Sequence, residues 1–328
     1  MSRVTRFLPS LPVLYATVLL FVVCLVVAPD SVRGASLNAM LPFAAVLAIA
    51  SVGQTLVVQQ RGIDLSVAGT VTLTAVMASK LPTGNGDLPW AIAVCLATGA
   101  VIGAALGLLV TYLRVTPLIA TFGMNAVLGG AVLAYSGGTT RRVPSGLSDF
   151  SLGRTLGVLN MVWLAIALVL VAAAVLTSTG FGRRFVAVGA NAAAARASGV
   201  RVGLIRWSAY VGASVCYALA GVVLAGYVDV PNLKVGDSYV MASIAAVVLG
   251  GTALSGGRGR MVGTLFAAVL LSQLNQFVLS IGAPSAMQFI VQGAVIAVAA
   301  VFQTSRGRAL VRAARRRLVP TETKAVST

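Results

Sequence analysis

The chain has 328 residues, 58 % of them hydrophobic and 9 % charged, and 24 Lys and Arg against 7 Asp and Glu leave a formal charge of +17. No soluble domain covers its surface with so few charges, so the composition is that of an integral membrane protein. Histidine is absent and the one glutamate is Glu322, which excludes histidine metal sites, Ser-His-Asp chemistry and glutamate proton relays; no catalytic or metal-ligating residue is assigned.

Apolar stretches of about 20 residues predict ten transmembrane helices, near 11–28, 37–59, 66–80, 88–113, 115–136, 158–178, 207–228, 238–255, 261–281 and 285–303. Residues 1–10 then form a cytoplasmic N-terminal segment, 11–303 the membrane domain and 304–328 a basic cytoplasmic tail. Arg3 and Arg6 ahead of an apolar run imitate a secretory signal, but Pro29-Asp30 stands where a small-residue cleavage site belongs. A cytoplasmic N terminus places eighteen basic residues inside and six outside, the latter beside five of the acids. That split is the positive-inside pattern, so the charge sets orientation, with both termini cytoplasmic, and does not signal nucleic acid. The tail cluster Arg312, Arg315, Arg316 and Arg317 lies against anionic headgroups or in solvent.

Taken in chain order, the first distinctive stretch is RGIDLSVAG, residues 61–69. Gly62 lets the chain turn at the membrane edge, and Asp64 can cap the following helix. Such a turn either only fixes two spans or takes part in gating. Gly99, Gly103 and Gly107 then form a ridge of small residues suited to close helix packing. Residues 181–206 carry five arginines and no acid between two apolar spans, a place where a membrane protein offers a handle to a soluble partner. The Ala-rich run from Gly189 to Ser198 predicts a helix closed by Gly199. A helix this short is marginal alone, so it docks on a partner or lies on lipid.

Further on, Gly250-Gly251, Gly256-Gly257 and Gly259 surround a turn carrying Arg258 and Arg260, either a helix break in a moving core or a tight loop. Gly69-Thr70 and Gly263-Thr264 each follow a glycine-bearing turn and relate the two halves faintly. Mid-span amides, among them Gln54, Asn125, Asn275 and Gln292, both donate and accept hydrogen bonds; they are interhelical glue or hydroxyl partners on a polar route. No charge lies near a span centre, which favours an uncharged polar cargo. The lysines at 80, 234 and 324 follow Ser79, Leu233 and Thr323, so no Gly-Lys pair builds a Walker-type phosphate loop.

The stretches 61–69, 189–200 (GANAAAARASGV) and 244–264 (IAAVVLGGTALSGGRGRMVGT) together resemble the permease subunit of bacterial ABC importers for monosaccharides, the ribose, xylose, arabinose and galactose group, over about Asn38 to Phe302. The resemblance implies an all-α membrane fold of about ten helices in the inner membrane. It implies alternating access driven by a partner ATPase that carries ATP and Mg, an extracytoplasmic sugar-binding protein, and a second permease copy in a homodimer or heterodimer. The insert would be the coupling helix, about 189–199, with Gly189, Asn191, Ala194, Ser198 and Gly199 on family positions. Gly62, Asp64, Gly256, Gly257, Arg258 and Gly259 would form the cytoplasmic turn motifs, and Gln54, Asn125, Asn275 and Gln292 the sugar route. Family glycines are replaced by Arg61 and Ala68, the usual Glu by Ala192, and two family acids by Val240 and Ala242. A permease for branched-chain amino acids or another small solute, a stand-alone channel or carrier, and an intramembrane enzyme are the competing classes.

Overall fold

The computed structural model describes residues 11–284 and, beyond them, 286, 287, 290, 293, 294 and 297. Twelve helices are present among them: α1 (Leu11–Val27), α2 (Gly34–Gln59), α3 (Val67–Lys80), α4 (Leu88–Thr111), α5 (Pro117–Ser136), α6 (Ser145–Leu152), α7 (Asn160–Ser178), α8 (Gly180–Ala190), α9 (Ala192–Ala197), α10 (Val202–Val228), α11 (Ser238–Leu249) and α12 (Met261–Ser280). A two-residue hairpin, β1 (Arg154–Thr155) with β2 (Val158–Leu159), precedes α7. Six helices, α2, α4, α5, α7, α10 and α12, are long and apolar enough to cross a membrane. The predicted tenth span at 285–303 and the two terminal segments lie largely outside the described residues.

Burial sorts the helices into a centre and a rim. In α2, 83 % of the most apolar stretch is buried, against 22 % in α5, so α2 is enclosed by protein and α5 turns most of its surface outward. Exposed apolar side chains such as Leu19 and Val22 on α1, Ile119 and Val127 on α5, and Leu170 and Val171 on α7 form that outer face. A water-facing surface of this kind would be unstable, whereas a bilayer accepts it.

At the centre α10 packs on α2 and α4. The ridge read from Gly99, Gly103 and Gly107 meets α10: a Cβ on Gly103 would collide with the Tyr210 carbonyl oxygen, and one on Gly99 would stand 2.6 Å from the Ala218 Cβ. Backbone contact this close needs glycine. Gly53 lies beside Ala213 and Tyr217 while Gly62 lies beside Tyr210, so α2 and α10 run antiparallel.

One helix is shorter than expected. The predicted span 238–255 ends as a helix at Leu249, because Gly250 and Gly251, the latter at φ 87°, stop it. At 12 residues α11 is about 18 Å long and α3, at 14, about 21 Å, both short of a ~30 Å hydrocarbon core. The visible repetition is therefore a long helix followed by a short one, α2 with α3 and α10 with α11. Each long helix is followed by a non-glycine residue at positive φ, Arg61 and Asp229, both at φ 65°, as α4 is by Arg114 at 58°. Since α2 and α10 are antiparallel, the two pairs are inverted relative to each other. Gly69 opens the short α3 but Gly263 opens the full-length α12, so that dipeptide does not mark equivalent positions.

The loops separate into two ends. One holds 60–66, Arg114 and the stretches 179–206 and 250–260; the other holds 28–33, 80–87, 137–159 and 229–237, tied together by Asn85 to Ser145 and by an ion pair of 2.7 Å from Arg142 to Asp229. Among the described residues the first end carries nine basic side chains and Asp64, the second six and five acids.

Candidate functional site

The three stretches singled out in the sequence meet at the basic end. The α2 helix finishes at Gln59, and its carbonyl accepts from the Gly257 N–H at 2.8 Å. Gln60 Nε2 donates to the Phe185 carbonyl at 2.9 Å, and Arg61 donates to the carbonyls of Gly189, at 3.0 Å, and Ala190. Those carbonyls are the unsatisfied C-terminal groups of α8, where a cation is stabilising. Arg61 thus ties the end of α2 to the end of α8, with its own backbone in the left-handed region at a cost of about 1–2 kcal/mol.

Glycines make the junction tight. A Cβ on Gly189 would collide with the Gln59 carbonyl oxygen, and one on Gly257 would lie 2.6 Å from the Ala190 Cα. Gly256 and Gly257 also have φ of 84° and 76°. Gly259 packs against the Gln59 carboxamide with no room for a side chain, while Arg258 is exposed. Gly62 was expected to supply the turn's conformation, but the left-handed residue is Arg61. What Gly62 provides is space, since a Cβ there would stand 2.7 Å from Tyr210 Oη.

The insert is two helices, where one over 189–199 was expected. Asn191 breaks it, with an extended backbone and an Oδ1 that accepts from Ala193 N and Ala194 N at 3.0 and 3.1 Å, the geometry of an N-cap. Gly189 therefore belongs to the last turn of α8. Gly199, at φ 78°, closes α9: its N–H reaches the Arg196 carbonyl and Val200 N–H that of Ala195, both at 3.0 Å. Phe185, Val188 and Ala195 are buried in a cluster with α7 and α10 residues such as Val169, Leu176 and Ile205. The opposite face, Ala193, Ala194, Arg196, Ala197 and Ser198, is exposed.

Asp64 is fully buried in the turn between α2 and α3. Its Oδ1 accepts from Ser66 N at 2.9 Å and Ser66 Oγ at 2.6 Å, and Oδ2 has no partner. Burial pushes its carboxyl up to about 6, with the two Ser66 hydrogen bonds opposing.

Away from the junction, α2, α11 and α12 enclose a cavity of about 250 Å³. Met40, Phe43 and Leu47 form its α2 wall, Ser272, Asn275, Gln276 and Leu279 its α12 wall, and Ser238, Tyr239 and Ala242 the α11 side. None of these side chains is charged.

The model of the branched-chain amino acid transport system / permease component family matches residues 36–300. The chain belongs to this permease family. It is 39 % identical to the ribose import permease protein of Escherichia coli K12 over 79 % of this chain and 82 % of that one. It is 33 % identical to the autoinducer 2 import system permease protein of Salmonella typhimurium LT2 over 92 % and 88 %. No solved structure matches it.

Within the permease, the three described amides of the four read as a route are dispersed. Gln54, oriented to satisfy both ends of its carboxamide, donates to Tyr217 Oη at 2.9 Å and the Asp64 carbonyl at 3.0 Å and accepts from the Asp64 N–H at 3.2 Å. It braces the Asp64 turn. Asn125 Oδ1 accepts from Gly69 N at 2.8 Å and joins α5 to α3. Asn275 lines the cavity, and Gln292 lies outside the described residues. Sequence reasoning missed Gln59, Gln60, Arg61 and Phe185 as junction residues; the one signal for them was an arginine where the family pattern has glycine.

Proposed function

We propose that the chain is the membrane-spanning subunit of an ATP-driven importer of a neutral monosaccharide, working by alternating access. The observation that carries this is the insert α8–α9, fastened to the core by Arg61, Gln60 and the Gly189–Gly257 contact while a face of small residues stays exposed. A short helix held this firmly and presenting alanines suits a groove on a soluble subunit. That subunit is an ATPase, which supplies ATP and Mg because this sequence has no phosphate loop. Gly189 serves inside the permease; Asn191, Ala194, Ser198 and Gly199 shape the docking helix. An extracytoplasmic binding protein selects the sugar, and a second permease, identical or related, completes the pore. The basic end is cytoplasmic, as are both termini.

The sugar class is supported by relatives whose names specify ribose and autoinducer 2 import. An amino acid, the cargo in the family's description, would bring an ammonium and a carboxylate into a membrane domain with no charged side chain near a span centre among the described residues, and unpaired buried charges cost several kcal/mol.

Ala194→Arg tests the reading. The substitution lies on the exposed face of α9, so the permease should insert and fold, while the docking contact is overpacked and charged. Loss of co-purifying ATPase, with uptake abolished, is the expected result. Unchanged assembly and uptake would remove the insert from the coupling path.

A further inference from the structure

We infer that the cavity between α2, α11 and α12 is a cargo site, taking one neutral polyhydroxyl ring with its C–H face on the α2 wall and its hydroxyl edge on the α12 wall. This rests on the reading of the chain as a sugar permease and adds where, and how, the sugar is held.

The two walls differ in chemistry. On α2 the surface is Met40, Phe43 and Leu47, and the Phe43 ring is held edge-on by Tyr227 at 5.4 Å between centroids. Facing it, α12 presents Ser272, Asn275 and Gln276 over the same stretch, groups that donate as well as accept. A pyranose or furanose ring has that same pairing of one apolar face with a hydroxylated edge. A carboxylate would meet no counter-charge among the lining side chains, and at the start of α11 Tyr239 N–H is bonded to the Gly236 carbonyl at 3.0 Å and Val240 N–H to that of Asp237 at 3.4 Å.

Size and access agree. At about 250 Å³ the cavity is below the ~300–1,000 Å³ of sites for drug-sized ligands, so it admits a small molecule. Phe43, Ser238 and Leu279 at its rim are exposed, whereas Tyr239, Ala242 and Ser272 inside are buried.

Each wall also continues to the junction. Met40 and Leu47 stand about 28 and 18 Å from Gln59 along the same helix. The α11 helix runs out into Gly250 and the loop whose Gly257 N–H binds Gln59, and α12 begins where Thr264 packs on Gly250 and Thr55. A displacement of the insert therefore reaches the α2 wall along one helix and the α11 and α12 walls through the 250–260 loop, which gives the partner ATPase a means of opening or squeezing the cavity.

Two measurements decide. Ala242→Leu fills the cavity from α11; radiolabelled D-ribose uptake should fall at least tenfold while the ATPase still co-purifies. Uptake at the wild-type rate would overturn the proposal. Second, Gln276→Cys in membranes should react with a charged methanethiosulfonate, the native Cys24, Cys95 and Cys216 being buried, and D-ribose but not L-leucine should slow that reaction severalfold. No reaction, no protection by D-ribose or D-xylose, or protection by L-leucine would each overturn it, even if Ala242→Leu fails to fold. Absence of any co-purifying ATPase from the wild-type protein would instead sink the importer reading and leave the protection result to stand or fall separately.

Discussion

Asp64 shows how one buried side chain ties sequence to stability. Its carboxyl is raised from the ordinary 3.8 to about 6 by burial, so between those values the folded protein holds a proton that the unfolded chain has released. The destabilisation from this group is therefore absent at low pH, grows as pH rises through this window, and reaches its full size, about 3 kcal/mol, above about 6. Asp64→Asn keeps an Oδ1 acceptor for Ser66 and cannot ionise. The expected outcome is a thermal midpoint in detergent that no longer declines between pH 4 and 6; an unchanged decline would assign it to another group. The sequence shows an acid in a turn, but its burial beneath Gln54 and beside Tyr210 comes from α2 and α10 closing over it.

At the scale of elements, the insert and α2 act as one piece because Arg61 spans them. Arg61→Ala and Arg61→Gly both remove the guanidinium, but only glycine also relieves the left-handed backbone, by about 1 kcal/mol. Both variants should lose ATPase stimulation equally in reconstituted complexes, with the alanine variant melting lower. Equal melting with unequal coupling would mean that the backbone, and not the clamp, carries the connection. The helical character of α8 and α9 was legible from alanine content and Gly199. The break at Asn191 was not, because an asparagine inside an alanine run reads as helix until its side chain is seen capping the next turn.

For the whole molecule, the sorting of loops predicts topology. Reporter fusions after Arg33, Thr140, Arg206 and Ala309 should read outside, outside, inside and inside. An external Arg206 would invert the assignment and detach the insert from any cytoplasmic ATPase. The sequence by itself determined the membrane class, most span positions and the three stretches that matter, because hydropathy, charge and glycine content are local properties written residue by residue. Only the tertiary structure decided that those stretches converge on Gln59–Arg61, that Gln54 and Asn125 brace turns while Asn275 faces a cavity, and that α11 stops at Leu249. Those outcomes depend on which helices pack together, and close packing at Gly99, Gly103 and Gly189 is set by partners more than 60 residues away in the chain.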